Sequence, residues 1–307
     1  MCFITTKRLK VKEYTSSNNS VSSAIAGGGF AYSVYHNLST SVETMHTPID
    51  RESTKRTKDL NLSSTHPFSI LLLGVDEREN DRGRSDTMIV LTINNDQKSI
   101  KMLSIPRDTY TEIIGRGTTD KINHAYAFGG ATMAMDTVEN FLDIPIDYYV
   151  TINMESFQDI VDAVGGVTVE NDLDFTYDGV HFTKGMLTLS GADALKYSRM
   201  RYDDPNGDFG RQNRQRQIIQ AVIKKGASLS SLTKYDDILD ALSKNVQTNL
   251  DFSDMNEIQG NYRAATTTID QITIDGSGTK MDGIYYYIVP EDEQTRIQDE
   301  LKNHLDI

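Results

Sequence analysis

The stretch Ser69-Ile-Leu-Leu-Leu-Gly-Val75 decides the fold. Its apolar run is almost unbroken, the pattern of a strand covered on both faces rather than one alternating between core and water. Thr87-Met-Ile-Val-Leu-Thr-Ile93 repeats the pattern, and Ser99 to Ile105 gives a third strand. The turn signal Asn94-Asn-Asp-Gln97 joins the last two as a hairpin. Downstream, Ala134, Val138, Phe141 and Leu142 recur at helical spacing over Gly130 to Leu142. Tyr148 to Ile152 reads as a strand. Ser156 to Val164 reads as a helix, stopped by Gly165-Gly166. A short strand, Val167-Thr-Val169, follows. Ser190 caps a helix running to Arg199. A longer helix is expected from Gly210 to Gly226, a strand from Gly283 to Val289, and a last helix after Pro290 with acids in its first turn. Strands alternating with helices define an α/β class, with a central mixed β-sheet flanked by helices.

The chain has 307 residues, 38% of them apolar, and a formal net charge of −13. That balance argues against non-specific binding to nucleic acid or anionic lipid, so no nucleic-acid partner is expected. The single cysteine, Cys2, excludes an internal disulfide. Residues 1–66 are polar and charge-mixed and read as a tail or tether, with one helix near Val34 to Met45; residues 67–307 read as the folded domain. Lys7, Arg8, Lys10 and Lys12 precede an apolar stretch too short to cross a bilayer. The N-terminus therefore reads either as the remnant of a membrane-anchor region, with residues introduced for expression in place of the helix, or as a disordered native tail.

Five arginines fall within eighteen positions, from Arg199 to Arg216. A basic cluster on an acidic chain recruits something negative, and arginine recognises phosphate or carboxylate in a planar, bidentate manner. Arg211, Arg214 and Gln215 share the first turns of a helix, whose N-terminus itself favours phosphate. Arg199 and Arg201 alternate along the segment before it. The alternative is a solvated basic surface paired with Asp203, Asp204 and Asp208. Asp76 follows the first strand and Asp86 precedes the second. If those strands are neighbours, the two carboxylates share a sheet edge and suit Mg²⁺ completed by phosphate oxygens; the alternative is local pairing with Arg78 or Arg84. Pro106 fixes the exit of the third strand and Arg107 projects from the sheet edge, unless Arg107 merely pairs with Asp108. Lys121 stands before a helix start, where its charge is unfavourable for the dipole, which suggests another task; the alternative is a solvated lysine. Arg211, Gln215, Ile218 and Val222 form one stripe on the long helix. Its apolar part either lines a lipid site or packs in the core. No P-loop, dinucleotide fingerprint, zincin motif or nucleophile elbow is present.

Taken together, Leu-Gly-Val-Asp76-Glu-Arg, Arg84-Ser-Asp86-Thr-Met, Ser-Ile-Pro-Arg107-Asp108, Lys121-Ile-Asn-His-Ala-Tyr, Tyr197-Ser-Arg199-Met-Arg201 and Gly-Arg211-Gln-Asn-Arg214-Gln215 resemble the LytR-CpsA-Psr family. The likeness spans roughly residues 67 to 250, in that family's order. It implies a magnesium-dependent phosphotransferase, with Mn²⁺ as the alternative ion. The enzyme would move an anionic glycopolymer (wall teichoic acid, capsule or similar) from a polyprenyl-pyrophosphate carrier to a muramic acid hydroxyl of peptidoglycan. It implies Asp76 and Asp86 as metal ligands, and Arg84, Arg107, Lys121, Arg199, Arg201, Arg211 and Gln215 around the pyrophosphate. A hydrophobic tunnel for the prenyl tail would lie in the core. The general base is left between Asp76, Asp86 and Asp108. The implied location is the outer face of the bacterial membrane, although the expected anchoring helix is missing here. Hydrolysis of the pyrophosphate, or non-catalytic lipid-phosphate binding, are the competing functions.

Overall fold

The computed structural model describes residues 39–75, 83–228 and 246–307. β1 (Phe68–Val75), β2 (Ser85–Asn94) and β3 (Ser99–Ile105) form an antiparallel meander at the centre of a six-stranded mixed sheet. β6 (Tyr148–Ile152) runs parallel to β1, and β12 (Thr268–Ile272) parallel to β3. β11 (Val246–Thr248) closes one edge antiparallel to β6, giving the order β11-β6-β1-β2-β3-β12. The carboxyl ends of β1, β3 and β6 and the start of β2 therefore share one edge.

The unbroken apolar runs are explained by two cores, one on each face. Leu71, Leu73 and Val75 join Met88, Val90, Leu103 and Ile105 against α2 (His124–Leu142) and α7 (Glu291–Leu305). Phe68, Ile70 and Leu72 join Leu91, Ile93 and Met102 against α5 (Asp208–Ser228) and α6 (Phe252–Asn261). A third cluster fills the space between α3 (Met154–Ala163), α4 (Gly191–Arg199), α5 and the β7 (Val167–Asn171) and β10 (Gly185–Leu189) pair. Two small hairpins complete the site side: β4 (Tyr110–Ile113) with β5 (Thr118–Lys121), and β13 (Ser277–Met281) with β14 (Ile284–Ile288). β8 (Phe175–Tyr177) and β9 (Val180–Phe182) form a third.

Two expectations shift at their ends. The helix placed from Gly130 begins at His124, because a first turn is joined to it across a break at Gly130 (φ 67°, ψ −153°) that only glycine tolerates easily. The long helix begins at Asp208 and runs to Ser228 rather than from Gly210 to Gly226.

The larger shift concerns residues 1–66. Residues 1–38 lie outside the described residues, but from residue 39 onward the chain is built into the domain. Residues 39–45 are helical, and Val42 and Met45 pack against Val246 and Val150 beside the sheet edge. Arg51 reaches Asp136 at 2.5 Å, Glu139 at 2.6 Å and the Ile146 carbonyl at 2.8 Å. Arg56 pairs with Asp147 at 2.5 Å. Glu139 is buried, and Ser53 and the Thr54 amide also donate to it. A tail-like composition hid this because its arginines find their carboxylates some 85 to 91 residues away.

Candidate active site

The segment after β3 is clamped from two sides. The Ile122 amide donates to the Thr109 carbonyl at 2.8 Å, and the Asn123 amide to the Arg107 carbonyl at 3.3 Å. From the other side, the Tyr287 amide of β14 donates to the Asp108 carbonyl at 2.8 Å. Arg107 thereby leaves the sheet edge on a fixed backbone. Its guanidinium donates to the Asp86 carboxylate at 2.7 Å and lies 3.7 Å from Asp108, which in turn accepts from the Lys121 ammonium at 2.6 Å.

Asp86 is aimed by a break in register. Gly74 stands opposite Thr87 and Val75 opposite Ser85, so Asp86 is the extra residue between them. Such a bulge turns a side chain away from the pleat, a device common beside active sites. Gly74 is required there: a Cβ would approach the Thr87 Cβ at 2.9 Å. The expectation that β1 and β2 are neighbours holds. Asp86 pairs with Arg107 rather than with Arg84, which is exposed just before β2. Asp76 lies outside the described residues.

From the opposite side come α4 and α5. Arg199, at the end of α4, is exposed over the same edge. Arg211 lies on the first turns of α5, with Asp208 at 2.9 Å and the Asp86 carbonyl at 3.5 Å. Arg201 donates to the Tyr202 hydroxyl at 3.0 Å and its charge acts on Arg211. Arg214 departs from the expected set. Its side chain is buried and spent on the Tyr197 carbonyl (3.0 Å), Asp204 (2.5 Å) and the Met200 carbonyl (2.5 Å). It fastens the α4–α5 connection and does not face the cup. Gly210 has the same purpose, since a Cβ there would meet the Asp204 carboxylate at 1.9 Å.

Asp86, Arg199, Arg211 and Gln215 line the mouth of a cavity of about 140 Å³ whose remaining walls include Leu72, Ile152, Phe157, Leu195 and Ile219. Farther along β1 and α5, a second cavity of about 280 Å³ is lined by Phe68, Ile70, Ile223, Ala227 and Tyr262. The two follow one another because residues 211, 215, 219 and 223 are successive i+4 positions on one helix row. The stripe expected to include Ile218 and Val222 is corrected here. Those two face the third core cluster, and Ile218 is fully buried. The core-packing alternative holds for them, while Ile219 and Ile223 meet the cavities.

The cup's electrostatics favour an anion. Burial works against the charge on Arg107, but the hydrogen bond and field of Asp86, with Asp208 and Asp108, outweigh it and raise its pKa. Burial lowers the pKa of Arg211, and the neighbouring Arg107 and Arg201 add to that against the pull of Asp208 and Asp86. Arginine nonetheless stays protonated in proteins, so Arg211 is a desolvated cation held against Asp208 at 2.9 Å. Its Nε, and the Gln215 Oε1, are buried with no hydrogen-bond partner among the described residues. A cation would find only a partial nest. Among the described residues no cluster of three His, Cys, Asp or Glu side chains could hold a metal alone. Asp86 supplies one oxygen ligand at a carboxylate 40% exposed. Mg²⁺ is commonly held by one or two carboxylates and completed by substrate phosphates, so this donor set fits it. Sequence reasoning did not single out Asn153, Phe157 or Ser198, which also line the first cavity. Only the α3 cap pattern Asn153-x-x-Ser156 hinted at that corner.

A guanidinium cup at the carboxyl edge of a mixed sheet, opening onto an apolar cavity, defines an α/β protein suited to a ligand with an anionic head. The LytR_cpsA_psr family profile matches residues 32–303. The polyisoprenyl-teichoic acid–peptidoglycan teichoic acid transferase TagU of Bacillus cereus is 53% identical over 285 residues, 92% of this chain and 94% of the relative. The crystal structure of B. subtilis TagU superposes with a TM-score of 0.64 at 52% identity, covering 78% of this chain and 97% of that one. A structure of TagT bound to LIIa-WTA superposes with a TM-score of 0.76 at 34% identity, covering 85% of this chain and all of the other. The chain belongs to the LytR-CpsA-Psr family, and it is a transferase.

Proposed function

We propose that this enzyme transfers a teichoic acid-type glycopolymer from a polyprenyl-pyrophosphate carrier to a muramic acid hydroxyl of peptidoglycan. The observation that carries the reading is the cup of Arg107, Arg199, Arg211 and Asp86 at the mouth of an apolar cavity. The names of the relatives supply the polymer class. A pyrophosphate head meets the guanidinium groups, with the unpartnered Arg211 Nε and the phosphate oxygens satisfying each other. The prenyl tail takes the succession of cavities along Ile219 and Ile223. Each CH₂ it buries contributes about 0.8 kcal/mol.

In the reaction the acceptor oxygen forms a bond to the phosphorus next to the glycopolymer. The bond from that phosphorus to the bridging oxygen breaks, and polyprenyl phosphate leaves. Such chemistry depends on positioning and charge neutralisation more than on covalent help. Arg107 and Arg211 hold the equatorial and leaving oxygens. Asp108, held between Lys121 and Arg107, is placed to take the acceptor proton. Asp86, with Asp76, would hold Mg²⁺ or Mn²⁺, which supplies Lewis-acid neutralisation of the pyrophosphate. Carrier and acceptor meet at the outer face of the cell membrane, and the enzyme acts there; among the described residues no helix is long and apolar enough to cross a bilayer.

A second reading rests on the openness of the cup. Arg199 and much of the Asp86 carboxylate are exposed, so water can stand in for the sugar hydroxyl and give hydrolysis. Incubation with a synthetic polyprenyl-pyrophosphate glycan, Mg²⁺ and peptidoglycan fragments, read by mass spectrometry, separates these. The expected product is polymer joined to glycan through a phosphodiester. Free phosphorylated glycan alone supports hydrolysis, and binding without turnover reduces the protein to a lipid-phosphate binder.

A further inference from the structure

The cup has one side that the donor does not account for. Beside Asp108, Tyr110 of β4 and Tyr286 of β14 meet edge to face, with ring centroids 5.0 Å apart. Lys121 lies 5.7 Å over the Tyr286 ring while holding Asp108. Phe209, two residues before Arg211, packs on Tyr287 at 5.7 Å between centroids. Tyr287 is the residue whose amide grips the Asp108 carbonyl. Successive strand residues face opposite ways, so Tyr110 and Tyr286 border this loop on the Asp108 side and Phe209, through Tyr287, on the Arg107 side. Phe209 and Tyr110 keep 49% and 38% of their surface in solvent. Exposed aromatic groups rimmed by polar side chains mark a binding surface, not packing. We infer that this aromatic rim is the acceptor subsite, where Tyr110, Tyr286 and Phe209 carry the sugar rings of a peptidoglycan strand and direct a hydroxyl toward Asp108 and Arg107.

Charge selects this occupant. Apart from Arg107, which is turned to Asp86, the cup's guanidinium groups come from α4 and α5 on its other side. The rim's own hairpin carries Glu112 and Asp120 against Arg116 and Lys121, and Asp108 beside it tips the sum to acid. That balance offers no net positive charge to hold a polyphosphate chain or an anionic bilayer surface. A pyranose ring offers an apolar C–H face to an aromatic ring and hydroxyls to a carboxylate or an ammonium, which is the mixture this rim presents. The aromatic edge also carries little rotamer entropy, so holding a ring in register is inexpensive.

The inference rests on the transfer reading above, and its test separates the two. Titration of the full chain with a peptidoglycan tetrasaccharide, without donor, is followed by calorimetry for the wild type and for Tyr286→Ala, Tyr286→Phe, Phe209→Ala and Tyr110→Ala. The expected result is at least a fivefold weaker affinity in each alanine variant, with Tyr286→Phe restoring it. In the transfer assay the same alanine variants raise the acceptor KM at least fivefold with kcat within twofold. Phe209 and Tyr110 are exposed, so their truncation leaves the core intact even if Tyr286→Ala lowers the melting temperature. Wild-type-like affinity and acceptor KM in both the Phe209 and Tyr110 variants overturns the proposal. So does a rise confined to the donor KM. Glycan binding that depends on the rim in a protein that transfers nothing would sink the transfer reading while leaving the subsite in place.

Discussion

Arg107 shares its guanidinium with Asp86 at 2.7 Å, while Arg214, within the basic cluster from Arg199 to Arg216, is consumed by Asp204 and two carbonyls. Identical side chains thus have separate duties, set by what each one faces. Arg107→Ala and Arg199→Ala each remove a donor to the pyrophosphate and are expected to lower kcat by about 10²–10³ with little change in melting temperature. Near-normal transfer by both would remove them from the chemistry. Arg214→Ala is expected to act on stability first. It leaves Asp204 buried without its cation, a loss of about 3–5 kcal/mol, read as a lower denaturation midpoint. A melting curve unchanged from wild type would return Arg214 to the surface.

At the scale of elements, α5 presents different things on different faces. One row carries Arg211, Gln215, Ile219 and Ile223 past the two cavities, and the adjacent row carries Ile218 and Val222 into the core. Ile219→Trp is expected to narrow the first cavity. It should raise the KM for a long-chain prenyl donor about tenfold or more, but change that for a short-chain donor much less. Equal effects on both would deny the cavity to the tail. Sequence reasoning places α5 within two residues at either end, yet its row assignment differs from the structure by one position. Both rows fall inside a single apolar stripe in sequence, and which row meets the sheet depends on how α5 is rotated against β1. The same limit applies to Asp86. Its place at a strand start was legible, but the bulge that aims it arises from pairing between two strands and leaves no mark in either alone.

For the molecule as a whole, stability and pH are coupled at the C-terminal helix. His304 is buried between the Thr92 hydroxyl at 2.7 Å and the Ser99 hydroxyl at 2.9 Å. Burial, helped by Lys101 and opposed by Asp306, Asp270 and Glu300, pushes its pKa down to about 4. The unfolded chain takes up a proton near the ordinary value of 6.5, and the folded chain refuses it until about 4. The contribution to stability is complete above pH 6.5 and is lost as pH falls toward 4. Over that window one proton changes stability by about 1.4 kcal/mol per pH unit. Melting temperatures from pH 7 to 4.5 should therefore fall more steeply for the wild type than for His304→Gln. Parallel slopes would show that His304 does not carry this dependence. The whole-molecule scale also holds the packing of residues 39–66, whose Arg51 and Arg56 anchor α2 and the start of β6.

Element order, the doubly buried strands, the caps and the run of phosphate-seeking arginines were readable along the chain, since each depends on neighbours within a few residues. Which cation reaches the cup, which one braces the backbone, where the supposed tether docks and how aromatic rings from β4, β14 and α5 gather beside Asp108 were set by folding. Arg211 meets the backbone of Asp86 across 125 positions, and Arg51 meets Glu139 across 88. Periodicity reports on a residue's own element, whereas partner choice depends on how separate elements are rotated and set against each other in space.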